Sequence, residues 1–119
     1  MKNILIISDN IQQINKLRHY FSDEYKVSAT NSADTALNTL QNKKADLALY
    51  HAVTDLSGFF SFYKTARQNP ATENVPLIAV ADTTMLKTLV DTVELKNAAF
   101  ISTLIAPDKL RNLADTFLM

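Results

Sequence analysis

A chain of 119 residues fits one domain and is long enough to bury a continuous core without disulfide or metal staples. Its 12 basic and 12 acidic residues cancel, which removes the broad positive field of a protein that holds nucleic acid by its phosphates, and the absence of cysteine excludes a disulfide framework or a thiolate metal cage. The opening Met1-Lys2-Asn3-Ile4 leads into a strand-length apolar run rather than a signal-peptide core, and no later stretch approaches membrane-spanning length. The expectation is therefore one cytoplasmic domain over 1–119, with no membrane contact and no direct nucleic-acid partner.

Residues 2–8 read as a first strand, and Asp9 or Asn10 can cap a helix whose apolar positions Ile11, Ile14, Leu17 and Phe21 follow helical spacing. A short second strand near 25–29 precedes two candidate caps, Asn31 and Ser32, and a second helix with Ala33, Ala36, Leu37 and Leu40 along one stripe, ended at Asn42-Lys43-Lys44. The third strand covers about 46–51. Ser57-Gly58 begins a helix carrying Phe59, Phe62 and Ala66, with Phe60 and Tyr63 beside that stripe, and Asn69-Pro70 terminates it.

Val75-Pro76 leads into a fourth strand ending near Ala81, after which Thr83 or Thr84 caps a fourth helix with Met85, Leu86, Leu89, Val90 and Val93. A fifth strand spans about 98–103. Pro107 suits the first turn of the last helix, where its missing N–H costs nothing, and Leu110, Leu113, Ala114 and Phe117 supply that helix's buried face. Strands and helices alternate five times, and the apolar runs at 4–7, 47–50, 77–80 and 100–101 have the texture of strands covered on both faces. The predicted fold is α/β and flavodoxin-like: a doubly wound (βα)5 domain with a five-stranded parallel sheet and helices on both faces. The single glycine, Gly58, leaves no glycine-rich loop to cradle a nucleotide phosphate.

In such sheets reacting groups gather where the carboxyl ends of the strands open into loops, which predicts that Ser8-Asp9-Asn10, His51, Ala81-Asp82 and Ser102-Thr103 are neighbours. The five βα units, the acidic residue after strand one, the run Asp46-Leu47-Ala48-Leu49, the lead-in Val75-Pro76-Leu77-Ile78 and the helix start Ala106-Pro107-Asp108-Lys109-Leu110 together resemble the receiver domain of two-component response regulators, over essentially the whole chain. The resemblance implies an acidic pair after strand one that holds Mg²⁺, an aspartate ending strand three that accepts a phosphoryl group, and a lysine ending strand five that neutralises it. Matched residue by residue, the acidic pair falls on Ser8 and Asp9, the acceptor on His51, the hydroxyl switch on Ala81 and the lysine on Thr103, while the aromatic switch is kept as Phe100. Leu104 stands where a cis proline is expected. The loop after His51 is one residue short, so Tyr50 is an alternative occupant of the acceptor position; neither residue is an aspartate.

Octahedral Mg²⁺ wants two or more carboxylates near the phosphate, whereas this set offers Asp9 helped at most by Asn10, Ser8 and backbone carbonyls. The expectation is no cofactor, Mg²⁺ bound weakly if at all through a vestigial Asp9 site, no phosphotransfer and no enzymatic activity. What remains is a degenerate pseudo-receiver, signalling through protein contacts in a two-component-type pathway, with a histidine kinase, a regulator or an effector as the candidate partner. The alternative is a switch of the same fold whose input is a small ligand, a metal or a proton at the vacated pocket. His51 admits a metal or phosphate role, but the plainer expectation is a strand-end histidine hydrogen-bonded to Asp9, and Asp9 is equally a helix cap.

Phe59, Phe60, Phe62 and Tyr63 crowd four aromatics into five positions, and one helix face cannot bury all of them; Phe60 either lies on neighbouring stems or marks a partner patch. The resemblance implies a dimer or effector surface on the fourth helix, fifth strand and fifth helix. In this chain that surface would present Lys87, Asp91, Glu94, Lys109, Arg111 and Asp115 as charges able to pair across a two-fold axis, with Val90, Leu95 and Ala99 as its apolar part.

Overall fold

The computed structural model describes residues 2–8, 10–42, 45–51, 57–81, 98–102 and 107–118. Within them lie strands β1 (Asn3–Ile7), β2 (Lys26–Thr30), β3 (Leu47–His51), β4 (Leu77–Ala81) and β5 (Ala98–Ser102), and helices α1 (Ile11–Phe21), α2 (Ala33–Gln41), α3 (Ser57–Gln68) and α4 (Pro107–Leu118). The helix predicted from Thr83 or Thr84 to Val93 lies outside the described residues. All pairings are parallel and the sheet order is β2-β1-β3-β4-β5, so the expected five-stranded architecture is present.

Strand alternation distributes the apolar runs between two cores. Ile4, Ile6, Leu47, Leu49, Ile78 and Val80 face Leu17 and Phe21 of α1 and Leu110, Ala114 and Leu118 of α4. Leu5, Ile7, Ala48, Leu77 and Ala79 face Ala36 and Leu40 of α2 and Phe59, Phe62 and Ala66 of α3. Each central strand thus buries both faces, which is why its sequence is a continuous apolar run; β2, at the sheet edge, is the more polar KVSAT and only partly buried.

The caps follow the local sequence. The side chain of Asn10 accepts a hydrogen bond from the Gln13 N–H at 3.1 Å, and Ser32 accepts from the Thr35 N–H at 3.3 Å. Of the two candidates before α1, Asn10 is therefore the cap rather than Asp9. Ile11, expected in the buried stripe of α1, is 73 % exposed. It occupies the first helical position of α1, at the rim of the groove lined by Ser8, Ala29 and Thr30.

The last helix is tied to the turn after α1. Arg111 reaches Asp23 at 3.1 Å and Glu24 at 2.6 Å, and the Tyr25 hydroxyl donates to Asp115. Arg111 and Asp115, expected as charges able to pair across a two-fold axis, are here engaged within the chain, because packing α4 beside α1 brings them over that acidic turn. The Arg111 hydrogen bond holds the Asp23 carboxyl below its ordinary value, while burial, followed by the Asp115 hydrogen bond, pushes the Tyr25 phenol up to about 12.

A raised phenol binds its proton more tightly in the folded state. Its contribution to stability is complete below the ordinary value of 10.0 and is lost as the pH climbs toward about 12. Ultraviolet tyrosinate titration is expected to show an ionisation near pH 12 that Tyr25→Phe removes. A wild-type titration without that step would contradict the clamp.

Candidate functional site

In a parallel sheet of this order the connections from β1 and β3 leave toward opposite faces, opening a crevice at the carboxyl ends of those two strands. Ile7 of β1 is registered against Tyr50 of β3, which places Ser8 and His51 next along the crevice. Their side chains meet there: Ser8 Oγ and His51 Nδ1 are 3.1 Å apart, and Ser8 Oγ also accepts the Asn10 N–H at 3.0 Å. The Ser8 hydroxyl, with one lone pair used by Asn10, can donate to Nδ1 or accept from it, according to the imidazole tautomer. Ser8 is 4 % exposed and its own N–H is bonded to the Thr30 carbonyl at 3.0 Å, so the hydroxyl is held by the ends of three strands and the start of α1.

His51 was expected to bond Asp9; the described partner is Ser8, and Asp9 itself lies outside the described residues. Tyr50 alternates to the opposite face, where its ring meets Phe59 and Phe62, each at 5.6 Å between centroids. Its hydroxyl stands 2.6 Å from where a Cβ on Gly58 would be, so the lone glycine serves this close approach at the start of α3. His51, not Tyr50, is therefore the β3 residue beside Ser8.

Ala81 ends β4, fully buried, opposite Ser102 of β5. Phe100 lies on β5 in register with Ala79, and Ala99 with Ile78; Asp82 and Thr103 lie outside the described residues. Of the expected interface, Lys87, Val90, Asp91, Glu94 and Leu95 also lie outside them, Lys109 is exposed, and Phe60 is partly buried, its ring 5.9 Å from that of Phe59.

The donors brought together by the described residues are one hydroxyl and one imidazole, engaged with each other. Mg²⁺ prefers carboxylates and water in an octahedron, and this pair does not fit it. Among the described residues no group of three or more His, Cys, Asp or Glu comes together, and no helix is long and apolar enough to cross a membrane.

Sequence reasoning missed the groove beside Ser8, about 420 Å³ in volume, lined by Ser8, Ile11, Ile14, Ala29, Thr30 and Asn31. Helical spacing assigned Ile11 to the core and so concealed it. It also missed Thr72, a buried threonine whose hydroxyl donates to the Ala66 carbonyl at 2.5 Å and closes the end of α3; Asn69-Pro70 signalled that turn but not its internal bond.

No protein-family model matches the chain, and no curated protein matches it in sequence. Its fold is similar to that of solved response-regulator receiver domains. The signal receiver domain of a signal transduction histidine kinase from Syntrophus aciditrophicus has a TM-score of 0.84 at 18% identity, over 99% of this chain and 90% of that one. The chemotaxis protein CheY4 of Vibrio cholerae has a TM-score of 0.81 at 17% identity, over 98% of each chain. A receiver domain protein from Methanospirillum hungatei has a TM-score of 0.76 at 21% identity, over 98% of this chain and 94% of that one.

Proposed function

We propose that this chain is a receiver-like signalling module that takes no phosphoryl group and acts through contacts with a protein partner in a two-component-type pathway. The observation that carries the reading is the hydrogen bond of Ser8 with His51 at the crevice between β1 and β3. Where the receiver resemblance calls for a carboxylate to hold Mg²⁺ and an aspartate to accept phosphate, a hydroxyl and an imidazole are hydrogen-bonded to each other. Phosphoryl transfer depends on fixed charge around the moving group. With Ser8 and His51 in those places, Asp9 is the one carboxylate left to the metal and the acceptor aspartate is gone, and Thr103 in place of lysine removes the cation that would neutralise the product.

Incubation with acetyl phosphate and Mg²⁺, followed by intact mass spectrometry, is expected to leave the mass unchanged. An amide NMR titration with Mg²⁺ and then beryllofluoride is expected to leave β4, β5 and α4 unshifted. A stable phosphate adduct, or saturable shifts spreading to Phe100, would refute the reading.

A further inference from the structure

Strand β2 ends the sheet, and among the described residues no strand lies beyond it. The Lys26 N–H donates to the Lys2 carbonyl and the Thr30 carbonyl accepts from the Ser8 N–H, each at 3.0 Å, so Lys26, Ser28 and Thr30 turn their peptide groups toward β1. By alternation the N–H and C=O of Val27 and Ala29 point outward, along an edge that holds neither a proline nor a bulge. Open main-chain groups of this kind are a template for a further strand.

The side chains decide which strand fits. Register with Asn3, Leu5 and Ile7 puts Lys26, Ser28 and Thr30 on the α2 face of the sheet, where Leu5, Ser28, Thr30, Thr35 and Thr39 line a groove of about 520 Å³. The Thr39 hydroxyl donates to the Thr35 carbonyl at 3.0 Å and that of Thr30 accepts the Ser32 N–H at 3.2 Å, so a neighbour can cover both without stranding them. Lys26 is exposed and has no ion-pair partner among the described residues.

An antiparallel second copy centred on Ser28 complements this edge. Val27 of each copy then stands opposite Ala29 of the other, which pairs the outward groups in four main-chain hydrogen bonds, and Ser28 meets its own counterpart on the two-fold axis. Lys26 falls opposite Thr30 of the other copy, where its aliphatic stem can lie in the groove. The two lysines are then four positions apart along the strands, about 14 Å, which exceeds the screening length of about 8 Å at physiological salt. A parallel copy in register would instead set Lys26 beside Lys26. A foreign peptide could use the same main-chain groups, but the groove gives it no cluster of charge to select it.

We propose that β2 is a self-association edge: two copies of this chain pair β2 with β2, antiparallel about Ser28, and so continue the sheet across a two-fold axis. This places the homodimer contact at the opposite edge of the sheet from β5. The pairing goes beyond the signalling reading and does not involve Ser8 or His51.

Four main-chain bonds make a weak dimer, with Kd on the order of 0.1 mM. Sedimentation velocity of the full chain from about 20 µM to about 1 mM is expected to pass from monomer to dimer. Over that range amide hydrogen exchange, followed by NMR, is expected to slow about fourfold at Val27 and Ala29 but not at Lys26, whose N–H is already bonded to β1. Ala29→Pro removes an outward donor without touching the β1 ladder, and Ser28→Lys sets like charges face to face on the axis. Each is expected to weaken pairing about tenfold or more at an unchanged urea midpoint. An equimolar mixture of Ser28→Lys and Ser28→Glu chains is expected to restore it.

A chain that stays monomeric at about 1 mM, exchange that slows at β5 rather than β2, or a dimer indifferent to Ser28→Lys would overturn the proposal. So would protection of Val27 and Ala29 by an added extended peptide without self-association, which would assign the edge to a foreign strand. Acetyl phosphate labelling bears only on the preceding reading, so the two ideas fail separately.

Discussion

Phe59→Ala is expected to lower the unfolding free energy by about 3–5 kcal/mol, read as a reduced urea midpoint at constant slope. Phe59 is fully buried and stands at the centre of an aromatic group: Tyr50 at 5.6 Å, Phe60 at 5.9 Å and Tyr63 at 6.3 Å between centroids. Truncation would leave a cavity between α3 and β3, and would remove the edge-on contacts that hold the Tyr50 and Phe60 rings. Against a total stability of about 5–15 kcal/mol for a domain, such a loss leaves a large unfolded fraction at moderate temperature. Phe59→Leu, which refills most of the space, should recover more than half of it. A loss below about 1 kcal/mol for the alanine variant would mean that α3 does not depend on this ring.

Thr72→Val is expected to cost about 1–3 kcal/mol although it preserves shape and adds hydrophobicity. Thr72 is 1 % exposed, and its hydroxyl donates to the Ala66 carbonyl at 2.5 Å and lies 3.3 Å from that of Asn69. Ala66 and Asn69 stand at the end of α3, where carbonyls lack their regular helical partner, and the other bond to the Ala66 carbonyl, from the Asn69 N–H, is long at 3.4 Å. A valine methyl would leave the Ala66 carbonyl on that weak bond alone. Thr72→Ser keeps the donor and should lose less than the valine variant. Thermal denaturation of both ranks them, and a valine variant as stable as wild type would show that water takes over the bond.

Much of the architecture was readable from residue pattern because the physics there is local. Continuous apolar runs at 4–7, 47–49 and 77–80 mark strands covered on both faces, and the β2 segment KVSAT is legible as an edge by its polarity. Ser32 and Pro107 announced their helix starts. Other features depend on placement in space. Helical spacing cannot tell that Ile11 stays exposed while Leu17, on the same helix, is buried.

The partners of Arg111 and Asp115 lie some ninety positions back in the chain, and only the packing of α4 beside α1 reveals them. The site was half legible. The gathering of groups at the carboxyl ends of parallel strands predicted that Ser8 and His51 would be neighbours, but the choice between His51 and Tyr50 required knowing which face of β3 each occupies.

The two cores also differ in when their parts become available during translation. Among the described residues, the core beneath α2 and α3 draws its last member from Ala79, whereas the core beneath α1 needs Leu110, Ala114 and Leu118 from the final helix. As the chain leaves the ribosome, Leu17 and Phe21 must wait for some ninety further residues before the cover from Leu110, Ala114 and Leu118 is made. The nascent polypeptide would therefore carry a sticky helix in α1, a natural substrate for chaperones that shield apolar segments, while the opposite side of the sheet has already settled.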